Sequence, residues 1–139
     1  MILLDTSGLL AALTPSQRTH SDCARALAKA QGPYLLSPFV LAELDHLIRK
    51  LVGPAGELAL LKEVATEAYE LVSFGAVDIA RIREIVEKYS NQDIGLADAS
   101  LVVLSERFGM TDLLTLDECH FRVLQGAGGA PFRILPADG

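Results

Sequence analysis

The sequence predicts an α/β domain built on a largely parallel sheet. Two observations carry this. Short, wholly apolar runs alternate with stretches of helical periodicity, and the runs at residues 2–4 and 113–116 are each followed by an aspartate. Apolar runs without alternation mark strands covered on both faces, as in parallel sheets. At 139 residues the chain has the size of one domain, 1–139, and can bury a sizeable core.

Residues 2–4 form the first predicted strand. Residues 8–13 suit a brief helix stopped near Pro15. Residues 20–30 suit an amphipathic helix with Cys23, Ala24, Leu27 and Ala28 on one side, ended by Gly32-Pro33. Residues 34–36 read as a second buried strand. Ser37 then offers an N-cap, and Pro38 a first-turn proline, for a helix through Glu43 to Leu51 that Gly53 and Pro54 close. A helix over 57–68 and a strand over 69–74 follow. Asp78 reads as the N-cap of a helix to Tyr89, with Ile79, Ile82, Ile85 and Val86 on one stripe. The helix over 96–108 is the clearest, and Gly109 supplies its stop. Residues 113–116 are a buried strand, 126–131 a surface loop, and 132–135 an edge strand. No repeat, low-complexity tract or interdomain linker interrupts this order.

Half of the residues are apolar, as in globular proteins, and no apolar run approaches the ~20 residues of a membrane-spanning helix. The opening Met-Ile-Leu-Leu-Asp lacks the basic flank of a signal peptide. A cytoplasmic location is expected, with Cys23 and Cys119 as reduced thiols. The net charge of −6 argues against a broad basic face for nucleic acid and favours cations or a basic protein partner. A nucleic-acid substrate requires bound metal to reverse the local field.

The informative acids are those placed where an acid is costly. Asp5 and Asp117 each follow an apolar strand, and open α/β sheets bind ligands in the crevice beyond the strands' carboxyl ends. A turn or cap aspartate is the ordinary alternative for both. Helical spacing surrounds Glu43 with Phe39, Val40, His46 and Leu47, and Asp98 with Ile94, Gly95, Leu101 and Val102. Both therefore stand within or beside an apolar stripe, where an unpaired carboxylate must neutralise, pair with a cation or bind metal. Arg49 and Lys50 project away from Glu43, and no base lies within a turn of Asp98. Metal is the economical answer, and converging carboxylates suit Mg²⁺ or Mn²⁺. Cys119 and His120 are adjacent and lack zinc-ligand spacing. They read as a loop thiol and a packing or surface imidazole, and His20 and His46 read equally plainly. Asp93 reads first as a cap for the helix of Asp98, with an additional site role as the alternative.

These placements resemble the PIN-domain nucleases, and within them the VapC-type toxins of toxin–antitoxin pairs. The resemblance spans nearly the whole chain. It runs through Ile2-Leu3-Leu4-Asp5-Thr6-Ser7, Leu41-Ala42-Glu43-Leu44, Asp93-Ile94-Gly95-Leu96-Ala97-Asp98-Ala99-Ser100, Leu114-Thr115-Leu116-Asp117 and His120-Phe121. It implies a three-layer α/β/α sandwich with a mostly parallel central sheet. It also implies a site for one or two Mg²⁺ or Mn²⁺ ions, with Asp5 and Asp98 in the most direct contact and Glu43 and Asp117 completing the pocket. Ser7 and Thr115 match hydroxyl positions beside such sites.

The expected activity is metal-dependent endonucleolytic hydrolysis of RNA, in which bound ions activate water and neutralise the phosphate. RNA as the substrate comes from the resemblance. So do a homodimer and a cognate VapB-like antitoxin laid over the acidic groove, where an arginine or lysine could seat. A receiver domain is a poorer match, because Thr6-Ser7 follow Asp5 and no lysine follows Lys88. A metal-dependent adhesion module would require a hydroxyl where Leu9 stands, and a dehalogenase-like phosphatase an aspartate where Ser7 stands.

Overall fold

The computed structural model describes residues 1–139. Its elements are β1 (Ile2–Leu4), α1 (Thr6–Leu13), α2 (His20–Lys29), β2 (Tyr34–Leu36), α3 (Pro38–Leu51), α4 (Pro54–Ala65) and β3 (Glu70–Leu71). These are followed by α5 (Ala76–Lys88), α6 (Leu96–Phe108), β4 (Asp112–Leu114), α7 (Glu118–Phe121) and β5 (Arg133–Leu135). The five strands pair in the order β3-β2-β1-β4-β5, every pair parallel. The chain moves outward from β1 through β2 to β3, then crosses to the other side of β1 for β4 and β5. Right-handed crossovers place helices from the two directions on opposite faces, which makes the expected three-layer sandwich. The direction reverses between β1 and β4, and that reversal opens the crevice in which such sheets bind ligands.

The core explains why the short strands hold. Ile2, Leu3, Leu4, Leu35, Leu36, Leu113 and Leu114 are fully buried, and α6 adds Ala99, Leu101 and Leu104 behind them. Each fully buried leucine contributes roughly 1.5–3 kcal/mol relative to exposure, so strands of three residues suffice. No helix is long and apolar enough to cross a membrane.

Several boundaries differ from expectation for identifiable reasons. Helix α1 begins at Thr6, because the chain turns immediately after Asp5. Gly53, at φ 106°, ends α3, and Pro54 opens α4 at once, where its fixed φ suits the first turn. Glu67 adopts φ 65°, just after α4 ends. Strand β3 is only two residues long, since its partner β2 stops at Leu36 where Ser37 caps α3. Strand β4 ends at Leu114, because β1 offers no partner beyond Leu4. Asp78 is not the N-cap of α5: it lies in the first turn and accepts the Gly75 N–H at 2.9 Å. Asp93 does not cap α6 either, since Gly95 holds that position and Asp93 is exposed at φ 54°.

Candidate metal centre

Asp5 leaves β1 at the switch point. Its backbone N–H donates to the Leu114 carbonyl at 3.0 Å, extending the β1–β4 ladder by one bond. It occupies the N-cap position of α1, but its carboxylate does not cap the helix. Instead Oδ2 accepts the Thr115 hydroxyl at 2.6 Å and the Ser7 hydroxyl at 3.2 Å. Thr115 Oγ1 in turn accepts the Asp117 N–H at 3.0 Å, and Ser7 Oγ the Leu116 N–H at 3.0 Å. Two hydroxyls thus tie the aspartate of β1 to the turn after β4. Asp5 is only 5% exposed. Burial pushes its carboxyl up to about 6; Thr115 opposes the rise and the charge of Asp98 adds to it.

Asp98 sits in the first turn of α6 and accepts the Gly95 N–H at 3.5 Å. Its side chain is 21% exposed. Burial raises its pKa; Gly95 and His120 act against that, while Asp117 and Glu43 add to it. Asp98 therefore feels the charge of the other acids from both sides and stands at the middle of the group. Asp117 caps α7: Oδ1 accepts the His120 N–H at 3.1 Å, and Oδ2 lies 2.8 Å from His120 Nδ1. The same ring nitrogen is 3.7 Å from Asp98 Oδ2. Ligand atoms of Asp98, Asp117 and His120 all fall within 4.8 Å of one another. Glu43 approaches from α3, its Oε1 accepting the Thr6 hydroxyl at 2.8 Å.

The helices that carry Glu43 and Asp98 are pinned to each other through a buried chain of donors. The Phe39 N–H donates to Ser37 Oγ, which lies 2.7 Å from Ser100 Oγ, and Ser100 donates to the Ala97 carbonyl at 2.6 Å. Ser100 has spent its one proton on Ala97, so Ser37 is the donor between the two hydroxyls. This fixes the start of α3 against the first turns of α6.

Of the four predicted acids, Asp98 and Asp117 come within 4.8 Å of each other together with His120, while Asp5 and Glu43 stand outside that group but near enough for charge to act between each of them and Asp98. Their individual settings correct three expectations. Glu43 is exposed: the buried stripe of α3 is Val40, Leu44 and Ile48, and Glu43 points beside it. The costly burial belongs to Asp5. Asp117 is both a cap and a neighbour of the other acids, so its two readings were not exclusive. His120 is no packing or surface imidazole, because it meets two of the four acids. Its signal was local: Asp117 and His120 are three apart, the spacing that joins an N-cap side chain to the first helical turn. His20, by contrast, is held by the Ala11 carbonyl at 2.8 Å. Cys23 and Cys119 are free thiols, one buried and one exposed.

No lysine or arginine forms an ion pair with any of the four acids; His120 is the basic side chain that reaches them. Burial disfavours the charged imidazole, yet Asp117, Asp98 and the Gln92 carbonyl together raise its pKa. A concavity of about 960 Å³ lies alongside and borders Thr115 and Leu116 but none of the four acids. Carboxylate oxygens without lysine or arginine partners, with Asp5 buried at a cost, make a donor set that fits a hard divalent cation.

A sequence model of the PIN domain matches residues 2–125. The chain belongs to the PIN-domain family. Within it the VapC group is the place: over 135 residues the chain is 40% identical to Ribonuclease VapC26 of Mycobacterium tuberculosis, covering 97% of this chain and all of that protein. The fold agrees with Mycobacterium tuberculosis VapC20, described as a sarcin-ricin loop cleaving toxin, at TM-score 0.78 and 18% identity over 84% of this chain and 90% of that one. It agrees also with Rickettsia felis VapBC2 bound to a promoter DNA fragment, at TM-score 0.65 and 20% identity over 96% and 98% of the two chains. PIN-domain proteins are generally metal-dependent, and Asp98, Asp117 and His120 form a group that could hold an ion.

Proposed function

We propose that the chain is a Mg²⁺- or Mn²⁺-dependent endoribonuclease, the toxin of a toxin–antitoxin pair, with residues 1–139 forming one PIN domain. One observation carries the reading: Asp98 and Asp117 lie together with His120 beside the switch point of a parallel sheet, within reach of the charges of Asp5 and Glu43, with no lysine or arginine among them. Kinship with a protein named a ribonuclease supports RNA as the substrate class.

Asp5 and Asp98 would hold the ion, with Glu43 and Asp117 completing the acidic pocket. A bound divalent ion supplies a polarised water as nucleophile and offsets the charge of the phosphodiester and of its leaving oxygen. The chain's own part is positioning. Thr115 and Ser7 hold the Asp5 carboxylate in one orientation, Thr6 holds Glu43, and the α7 turn holds Asp117. The acids lie outside the neighbouring concavity, an arrangement suited to a polymer passing across the site.

The same acidity suits an antitoxin. A basic segment could seat an arginine or lysine among the four carboxylates, displacing metal and covering the site. This gives the net charge of −6 a use. A homodimer in the cytoplasm completes the proposal. The test is direct: the purified protein should cleave RNA with Mg²⁺ or Mn²⁺ and stop with EDTA. Metal-independent cleavage that Asp98→Asn leaves intact would overturn the reading.

A further inference from the structure

His120 is the side chain at this site to which the proposed reaction assigns no task. Its Nδ1 lies 2.8 Å from Asp117 Oδ2 and 3.7 Å from Asp98 Oδ2. Two atoms bound ~2.1 Å from one octahedral ion stand roughly 3 Å apart when adjacent and about 4.2 Å apart when opposite. The spacings among these three side chains are of that order.

The ring is also held as a ligand's ring is held. The His120 backbone N–H is anchored on Asp117 Oδ1, which fixes the turn that presents the imidazole. A ligating imidazole ordinarily gives its second N–H to a carbonyl or carboxylate, leaving the other nitrogen's lone pair for the metal. With Nδ1 turned to the acids, Nε2 is the nitrogen left to carry the proton.

We propose that His120 Nδ1 is a direct ligand of the divalent ion, beside Asp98 and Asp117, and biases the site toward Mn²⁺ and later transition ions over Mg²⁺. This rests on the reading of the acids as a metal site. Imidazole is a borderline donor that binds first-row transition ions well, whereas Mg²⁺ prefers oxygen and keeps its waters. An imidazole beside the carboxylates therefore discriminates where carboxylates alone would not.

Pulsed electron paramagnetic resonance of Mn²⁺ bound to the full chain detects a coordinated nitrogen, and calorimetry gives the affinities for Mn²⁺ and Mg²⁺ separately. The wild type should show nitrogen coupling that His120→Asn abolishes and His46→Asn retains. Mn²⁺ affinity should fall about 10- to 100-fold in His120→Asn, the scale of losing a metal-site partner. Mg²⁺ affinity should change less than about threefold, since imidazole adds little for that ion. Mn²⁺ bound without nitrogen coupling overturns the ligand role and leaves the acid site standing. Equal losses of Mn²⁺ and Mg²⁺ overturn the bias. No Mn²⁺ binding by the wild type overturns both this inference and the metal reading beneath it.

Discussion

The Thr115 hydroxyl donates to Asp5 Oδ2 at 2.6 Å while its oxygen accepts the Asp117 N–H at 3.0 Å. One side chain so positions acids that arrive from the two strands flanking the switch point. The bond favours the ionised carboxylate, holding the Asp5 pKa below where burial alone would put it.

Thr115→Val keeps the shape and removes the hydroxyl. Asp5 should then titrate above its value of about 6. The loss of a bond to a buried charge should cost roughly 1–3 kcal/mol of stability at pH 7.5, and less at pH 4.5, where Asp5 is protonated. Urea unfolding at the two pH values measures both. An equal loss at each would show that the bond does not single out the charged form.

Asp5→Asn tests the cost of the buried charge itself. A carboxyl raised from 3.8 to about 6 binds a proton more tightly folded than unfolded. The metal-free wild type therefore loses stability as pH rises through that window, by about 3 kcal/mol once Asp5 is fully ionised. Asn carries no charge, so the variant should be the more stable protein at pH 7.5, with the advantage gone below pH 4. RNA cleavage should be lost throughout. Thermal unfolding across pH in EDTA gives the comparison, and a variant no more stable at pH 7.5 would contradict it.

Metal should reverse that penalty. An ion present at 100 times its dissociation constant stabilises the folded state by about 2.7 kcal/mol. Protons compete for Asp5 and Asp98, whose pKa values are both raised. Mn²⁺ should accordingly raise the wild-type Tm more at pH 7.5 than at pH 5, and should do little for Asp98→Asn. A rise of the same size in that variant would place the ion elsewhere.

How much of this could be read in advance depended on range. Helix α6, strand β2 and the start of α3 were legible, because Ser37, Pro38 and Gly109 act on their immediate neighbours. The end of β4 was not, since it depends on where β1 stops, more than 100 residues away. Asp98 and Asp117, which the structure brings together, were both singled out by the sequence, but the burial of Asp5 and the exposure of Glu43 were not. Glu43 follows the exposed flank of α3 because the core chose Val40, Leu44 and Ile48, and a helical wheel does not say which edge of an apolar stripe faces inward. For His120 the local spacing to Asp117 was visible, but its approach to Asp98 appears only when α6 and α7 meet.

Gly8 links this scaffold to the site and gives the last prediction. It lies in α1, where an added Cβ would stand 2.6 Å from the Leu114 carbonyl oxygen and 2.7 Å from its carbon. Both are backbone atoms of β4 and cannot rotate aside. The same carbonyl accepts the Asp5 N–H, so pushing α1 off β4 strains the bond that registers Asp5 against Thr115. Alanine would otherwise help a helix interior by up to about 1 kcal/mol, but overpacking of this kind costs typically 1–3 kcal/mol. Gly8→Ala should thus be destabilised on balance and bind Mn²⁺ more weakly. Gly75→Ala is the control: its Cβ would meet nothing within 4 Å, and at that cap the change should cost less than about 1 kcal/mol. Chemical denaturation and Mn²⁺ calorimetry on both variants decide the matter, and a Gly8→Ala protein as stable as the wild type would mean that α1 and β4 are free to separate there.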